Sequence, residues 1–303
     1  SLRMTRPPSV LIHGGAGTPE SWSDGCEQAA EVALASLAEN DDALEAATAA
    51  AVSLENDGRF NAGWGSTLRL DGETVEMDAS LMTSDGRIGA VAAIPEVIHP
   101  IRVAREVLDC PHILLAGEGA LRFAQNSGLE VRPDGPPPRV RERFERTRKK
   151  IEKAGDLGAV NVRWQGVDGK RLWNFPDPAP NWLPGCDTIG AVVRDSQGRL
   201  AVSNSTGGAV PMLSGRVGDS PLPGAGFWCG PEAAVCATGI GEEITKHLVS
   251  KTVYDWLAEG VSPEEACARA VALFPETIHF GLIVLTATGG ASGSNTTMAQ
   301  ARA

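Results

Sequence analysis

Two textures of apolar spacing divide the chain. In the first, Val10–His13 is a short apolar run ending in HGGAG, which predicts a strand entering a glycine turn. Gly25–Ala38 and Asp42–Leu54 repeat with helical period and are rich in alanine. Ser66–Leu70 and Thr74–Met77 flank Asp71-Gly72, which predicts a hairpin. Arg87–Ile94 predicts a further strand. Ile101–Leu108, Glu118–Asn126 and Val140–Ala154 predict helices. Residues 128–138 read as a proline-rich loop. Residues 155–187 carry Gly, Pro, Asp and three Trp with no clean period, which predicts an exposed linker.

The second texture begins at Thr188. Thr188–Arg194 and Arg199–Asn204 are apolar runs around a turn at Asp195–Gly198, a second predicted hairpin. Ala234–Thr238 predicts a short strand. Gly241–Leu257 and Pro263–Leu273 predict helices, with Ser262 as N-cap of the latter. His279–Thr286 predicts a last strand, and the Gly-, Ser-, Asn- and Thr-rich tail after Gly289 predicts a frayed end. No internal repeat is visible. Helices alternating with hairpin-joined strands predict a layered α/β (α+β) fold with antiparallel sheets. The pattern alone leaves a parallel βαβ arrangement open.

Composition narrows the function. The 303 residues carry a net charge of −11, with Lys and Arg spread along the chain. The one basic run, Arg139 to Lys153, alternates with Glu and reads as a solvated helix, which argues against a nucleic-acid partner. No apolar stretch approaches the roughly 18–20 residues of a membrane span. No signal peptide is visible, and the six cysteines form no CxxC, so reduced thiols in a cytoplasmic setting are expected. The five histidines lack metal-ligand spacing.

The candidate chemistry centres on Thr188, directly after Asp187. A threonine hydroxyl is a weak nucleophile unless a base stands beside it. Were the Asp187–Thr188 bond cut, Thr188 would gain an α-amine of pKa about 7.7–8.0, a base on the same residue. A short turn near Ser196–Gln197 sets Thr188 opposite Ser205 or Thr206. Downstream, GRVGDSP spaces Arg216 and Asp219 to read a carboxylate and an ammonium, the two ends of an amino-acid head group. Thr238 and Gly239 lead through Gly241 into a helix start, a setting suited to an oxyanion. Each piece alone also has an ordinary structural reading: a strand residue, a surface pair, a turn. Rival chemistries lack their partners. HGGAG is not followed by GxSxG, no dinucleotide fingerprint follows a strand, and Cys186 has no paired His.

Taken together, HGGAG (13–17), RFNAGWGS (59–66), EMDASLM (76–82), LLAGEGA (114–120), DTIGAVVRDSQG (187–198), STGG (205–208), GRVGDSPLPGAG (215–226) and ATGIGE (237–242) make the chain resemble the plant-type L-asparaginase/isoaspartyl peptidase family. These are N-terminal-nucleophile hydrolases, with aspartylglucosaminidase and taspase as relatives. The resemblance covers most of the chain except 128–186 and the tail. It implies a single four-layer αββα domain over 1–303, cut into an alpha subunit (1–187) and a beta subunit (188–303). It implies autocleavage between Asp187 and Thr188, with Thr188 then the nucleophile and Thr206 its assistant. Thr238 and Gly239 are implied as oxyanion donors. Arg216, Asp219, Gly241 and Asn61 are implied at the substrate. No cofactor is implied for the reaction. A structural sodium ion is implied on the main-chain carbonyls of Leu54, Glu55, Asp57, Phe60, Ala62 and Trp64. The implied assembly is a homodimer of αβ units, and the implied substrate a small molecule, L-asparagine or a β-aspartyl dipeptide.

Two positions depart from the family pattern. Asp187 stands where bacterial and plant asparaginases usually carry Gly; aspartylglucosaminidase and taspase resemble this chain there. Asn204 stands where the family has Thr. A glycosylasparaginase, or an uncleaved and silent binding homologue, are the alternatives. The Asp of GRVGDSP favours a free amino-acid head group over the internal aspartate of a taspase substrate.

Overall fold

The order of the chain in a computed structural model is β1 (Ser9–Ala16), α1 (Ser23–Asn40), α2 (Ala43–Asp57), β2 (Glu76–Thr83), β3 (Ile88–Pro95), α3 (Pro100–Leu108), β4 (Leu114–Ala116), α4 (Gly117–Asn126), α5 (Pro138–Ala154), β5 (Thr188–Arg194), β6 (Leu200–Thr206), β7 (Phe227–Cys229), β8 (Ala233–Gly239), α6 (Gly241–His247), α7 (Val249–Ala258), α8 (Pro263–Val271), β9 (Phe280–Thr286), β10 (Gly290–Ser294) and β11 (Met298–Arg302). The structure describes residues 6–132, 135–177 and 188–303. Asp187 and Cys186 lie outside the described residues.

The strands form a seven-stranded sheet ordered β11-β1-β5-β6-β2-β3-β4 and a four-stranded sheet ordered β10-β9-β8-β7. Every neighbouring pair is antiparallel except β3 with β4. The parallel βαβ arrangement is therefore excluded as the main plan. β5 and β6 sit in the middle of the large sheet and are buried along their whole length. That explains why TIGAVVR reads as continuously apolar rather than alternating. One face of this sheet packs Ile12, Ile189, Ala191 and Val193 against the alanine-rich faces of α1 and α2. The other packs Leu11, Val192 and Val202 against Phe227, Cys236 and Ile283 of the small sheet. The far face of the small sheet, with Val235, Leu282 and Val284, is covered by Val253, Ala266 and Ala270 of α7 and α8. Ser262 caps α8 by accepting from Glu265 N, with Pro263 following it. Among the described residues no helix is long and apolar enough to cross a membrane.

Four expectations change. Ser66–Leu70 makes a turn with Thr74, through Arg69 N to Thr74 O at 2.7 Å, but no strand; the strand is Glu76–Thr83. The alternation there sends Leu68 and Leu70 into small cores beneath α5, while buried Arg69 donates to the carbonyls of Leu213, Arg216 and Glu76. The described part of the predicted exposed linker, 155–177, is packed instead. Leu157 and Phe175 are buried with Leu70 and Ile151, because large apolar side chains in an aperiodic segment still find a core. The helix predicted over Gly241–Leu257 is broken at Leu248, which adopts φ 46°. The amides of Ser250 and Lys251 at the start of α7 donate outward to Ala225 and Gly224. The tail is not frayed: β11 lines the edge of the large sheet against β1, and β10 pairs with β9. Sheet edges supply hydrogen bonds that its composition does not advertise.

Candidate active site

The β5/β6 ladder pairs Thr188 with Thr206 directly. Its register is set at the turn, where the Asp195 carboxylate accepts from Gln197 N and Arg199 N at 3.0 Å each. The result is a buried hydroxyl pair, Thr188 Oγ1 to Thr206 Oγ1 at 2.9 Å. Thr206 Oγ1 also accepts from Gly208 N at 2.9 Å. The turn after β6 is pinned by Asn61. Its Oδ1 accepts from Thr67 N (2.8 Å) and its Nδ2 donates to Gly208 O (2.7 Å), while its carbonyl accepts from Gly207 N. A Cβ on Gly207 would lie 2.4 Å from Asn61 Oδ1, so only glycine fits there.

Thr238 approaches from the second sheet. A Cβ on Gly190 would lie 2.2 Å from Cys236 Sγ, so β5 and β8 touch at these two positions. Gly190 is two residues after Thr188, and Cys236 two before Thr238, on matching strand faces. Thr238 Oγ1 accepts from Ala16 N at 3.0 Å, which leaves its own proton to donate elsewhere. Gly239 has φ 146°, and a Cβ there would sit 2.4 Å from His279 O.

A Cβ on Gly241 would be 2.9 Å from Arg216 Nη2, Asp219 N and Asp219 Oδ1, so glycine lets α6 begin directly against this pair. Asp219 is buried, and its Oδ2 has no partner among the described residues. Burial pushes its carboxyl up to about 7, against the opposing pull of Arg216. Arg216 departs from the sequence reading. Its fork is already closed on Glu242, with Nη2 to Oε1 at 2.7 Å and Nε to Oε2 at 3.1 Å. Its Nη1 faces the Met212 sulfur at 3.9 Å and lies 3.5 Å from where Gly208 would carry a Cβ. The Nη1 edge is therefore the part of the guanidinium that Glu242 does not take.

The loop expected to bind sodium curls tightly. Phe60 O accepts from Ala62 N, Ala62 O accepts from Gly65 N, and a Cβ on Gly65 would lie 2.1 Å from Phe60 O and 2.7 Å from Gly58 O. Two carbonyls, Phe60 O and Gly58 O, thus crowd Gly65, and only the first is among the six expected to hold the ion. The carbonyls of Arg59, Gly63 and Gly65 are held by the guanidinium groups of Arg143 and Arg132. One arginine of the basic helix α5 is accordingly turned inward.

Three features escaped the sequence reading. Glu242 is one. The second is the Glu55 side chain: its Oε2 accepts from Ser205 Oγ (2.5 Å) and Ile101 N (3.1 Å), and burial pushes its carboxyl up to about 8. The third is a buried polar chain under β5. His13 Nδ1 accepts from Gly15 N, so its proton sits on Nε2, facing Cys236 Sγ at 3.3 Å. Burial lowers His13 to about 3 and raises Cys236 well above a free thiol. Cys236 then donates to Asn204 Oδ1 at 2.6 Å, and Asn204 Nδ2 to Gly226 O at 3.0 Å. The side chain that departs from the family pattern bridges the two sheets here.

Known proteins resemble this chain over nearly its whole length. The asparaginase family pattern matches residues 6–303. The isoaspartyl peptidase/L-asparaginase of Homo sapiens is 36% identical over 294 residues, spanning 93% of this chain and 88% of that protein. The plant-type L-asparaginase of Pyrobaculum calidifontis is 36% identical over 309 aligned positions, spanning 97% and 95%. That of Thermococcus kodakarensis is 35% identical over 295 residues, spanning 93% and 90%. The chain belongs to the asparaginase family.

Proposed function

We propose that this chain is an autoprocessing threonine amidohydrolase that cleaves the side-chain amide of L-asparagine or of β-aspartyl dipeptides and releases L-aspartate. The observation that carries the reading is the buried pair Thr188 Oγ1–Thr206 Oγ1 at 2.9 Å, at the first residue of a central strand. In processing, the Thr188 hydroxyl attacks the Asp187 carbonyl, the acyl group moves from N to O, and water opens the ester. Thr188 keeps a free amine that takes the proton from its own hydroxyl. In turnover, Thr188 attacks the substrate's side-chain carbonyl. The proton of Thr238, free because Ala16 N occupies its oxygen, and the Gly239 amide meet the oxyanion. Ammonia or an amine leaves, and water releases aspartate from the ester.

Asp219, ionised, holds the substrate ammonium, and Arg216 its carboxylate through Nη1, with Gly241 leaving the space. Asn61 acts chiefly by fixing the turn that carries Thr206. A structural sodium ion on the main-chain carbonyls of the curl at 54–64 is part of the same reading and rests on the family resemblance. The two sheets, with helices against their outer faces, support reading the fold as an αββα sandwich, and the family resemblance supports a homodimer of αβ units.

Intact-mass spectrometry after incubation tests the mechanism. Two fragments splitting at 187/188, and none in Thr188→Ala, are expected. An uncleaved but active Thr188→Ala would sink it. Release of sugar amine from glycosylasparagine, with no turnover of β-aspartyl dipeptides, would favour the glycosylasparaginase reading.

A further inference from the structure

Arg216 and Asp219 lie on residues 207–226, which form no helix or strand between β6 and β7. Such a segment has no ladder of its own, so its backbone groups need partners elsewhere. They find them on and beside β2. Arg69 Nη1 donates to Leu213 O at 3.1 Å and to Arg216 O at 3.0 Å, while its Nη2 donates to Glu76 O at 2.9 Å. Glu76 Oε1 accepts from Gly215 N at 3.0 Å and from Ser214 Oγ at 3.2 Å. Ser80 Oγ donates to Ser220 O at 2.7 Å. The two reading residues are thus tied down on both sides.

The same strand is registered on the hydroxyl pair. Asp78 pairs with Thr206, which pairs with Thr188. Glu76, Asp78 and Ser80 alternate along β2 and so share one of its faces. Arg69 is fully buried, and the buried Asp78 carboxylate, with Glu76 Oε1 at 3.6 Å, supplies its counter-charge. A buried, paired charge contributes little net stability, so its presence here is better explained by what it fixes. The planar guanidinium holds several carbonyls at once, which a neutral side chain of equal volume would leave without a donor.

We propose that Arg69, with Ser80 at the far end of the tie, is a positioning residue for the substrate head group. It fastens the loop that carries Arg216 and Asp219 to the strand that is registered on Thr206. The span between the head-group reader and the hydroxyl pair is thereby fixed by β2. The inference rests on the amidohydrolase reading and adds the residues on which its head-group affinity depends. Arg69 itself touches no substrate and acts through the backbone of Leu213 and Arg216.

The test reads head-group binding and self-cleavage separately in the purified protein. Arg69→Lys keeps the charge that faces Asp78 and loses the fork. It is expected to raise KM for L-asparagine about tenfold with kcat within about threefold of wild type. Scission at 187/188, followed by intact mass, keeps its wild-type rate, because that step engages no head group. Ser80→Ala is expected to raise KM about threefold in the same pattern. Loss of the folded state in Arg69→Lys leaves Ser80→Ala, a smaller change at the same tie, to decide by the same readings. Unchanged KM in both variants, or scission that slows as KM rises, overturns the tie, because a merely structural contact does not separate the two steps. Should the wild-type chain neither cleave itself nor hydrolyse L-asparagine, the amidohydrolase reading fails on its own. Calorimetric titration of L-aspartate then decides the tie. Binding that weakens in Arg69→Lys supports it, and binding that is absent, or indifferent to Arg69, overturns it.

Discussion

Arg216 and Glu242 form a two-point ion pair, at 2.7 and 3.1 Å, across the first turn of α6. The pair fixes the plane of the guanidinium, so that Nη1 alone is presented towards Gly208. Glu242 is thus a positioning residue for the group proposed to read the substrate carboxylate. Glu242→Gln is expected to raise KM for L-asparagine about tenfold with a much smaller effect on kcat, the pattern of lost binding common to ground and transition states. A fall in KM would show instead that Glu242 competes with substrate.

Asp219 gives the site a pH dependence. Its carboxyl is pushed up to about 7 by burial, so near neutrality part of the population is protonated and cannot hold an ammonium. KM for L-asparagine should fall as pH rises from about 5.5 to 7.5. Asp219→Asn should raise KM and abolish that slope. A KM independent of pH in the wild type would remove Asp219 from the head-group role.

Glu55 makes a prediction about stability. Its folded pKa, about 8, is raised above the ordinary carboxylate value, so folding favours the protonated form. That contribution is complete below the unfolded pKa and disappears as pH rises through about 8. The melting temperature should therefore fall as pH rises from about 5 to 8 and level off above that. Glu55→Gln keeps an acceptor for Ser205 and should flatten the drop. Glu55→Ala, which strands Ser205 Oγ and Ile101 N, should cost about 1–3 kcal/mol at pH 7 in a denaturant titration.

Gly190 should be irreplaceable. A Cβ there would meet Cys236 Sγ at 2.2 Å, His13 Nε2 at 2.6 Å and Asn204 Oδ1 at 2.7 Å, all fully buried. Gly190→Ala must push apart the two sheets or break the polar chain between them, at about 3 kcal/mol or more. Near wild-type denaturation would mean that β5 and β8 slide freely.

The Thr188–Thr206 pairing was legible from sequence because a short turn fixes register, and Asp195 holds that turn with its own carboxylate. That Arg216 and Asp219 lie side by side was legible too. The Glu242 partner was not, since the ion pair spans 26 residues and depends on where α6 begins. The break at Leu248 and the strands of the tail were hidden for a related reason. Their backbone groups are satisfied by distant chain, at Ala225 and at β1, and local composition carries no trace of such partners. The packing of 155–177 was hidden because its Leu and Phe follow no period.

The strand order β11-β1-β5-β6-β2 has a mechanical consequence. Strands that follow the predicted cut, β5 and β6, lie between strands that precede it, β1 and β2. β11, from the end of the chain, closes over β1 from the other side. A scission before Thr188 would therefore yield two interlaced pieces, each filling gaps in the other's sheet. They would travel together through purification and melt as one unit, and either piece alone would expose raw strand edges and fall out of solution.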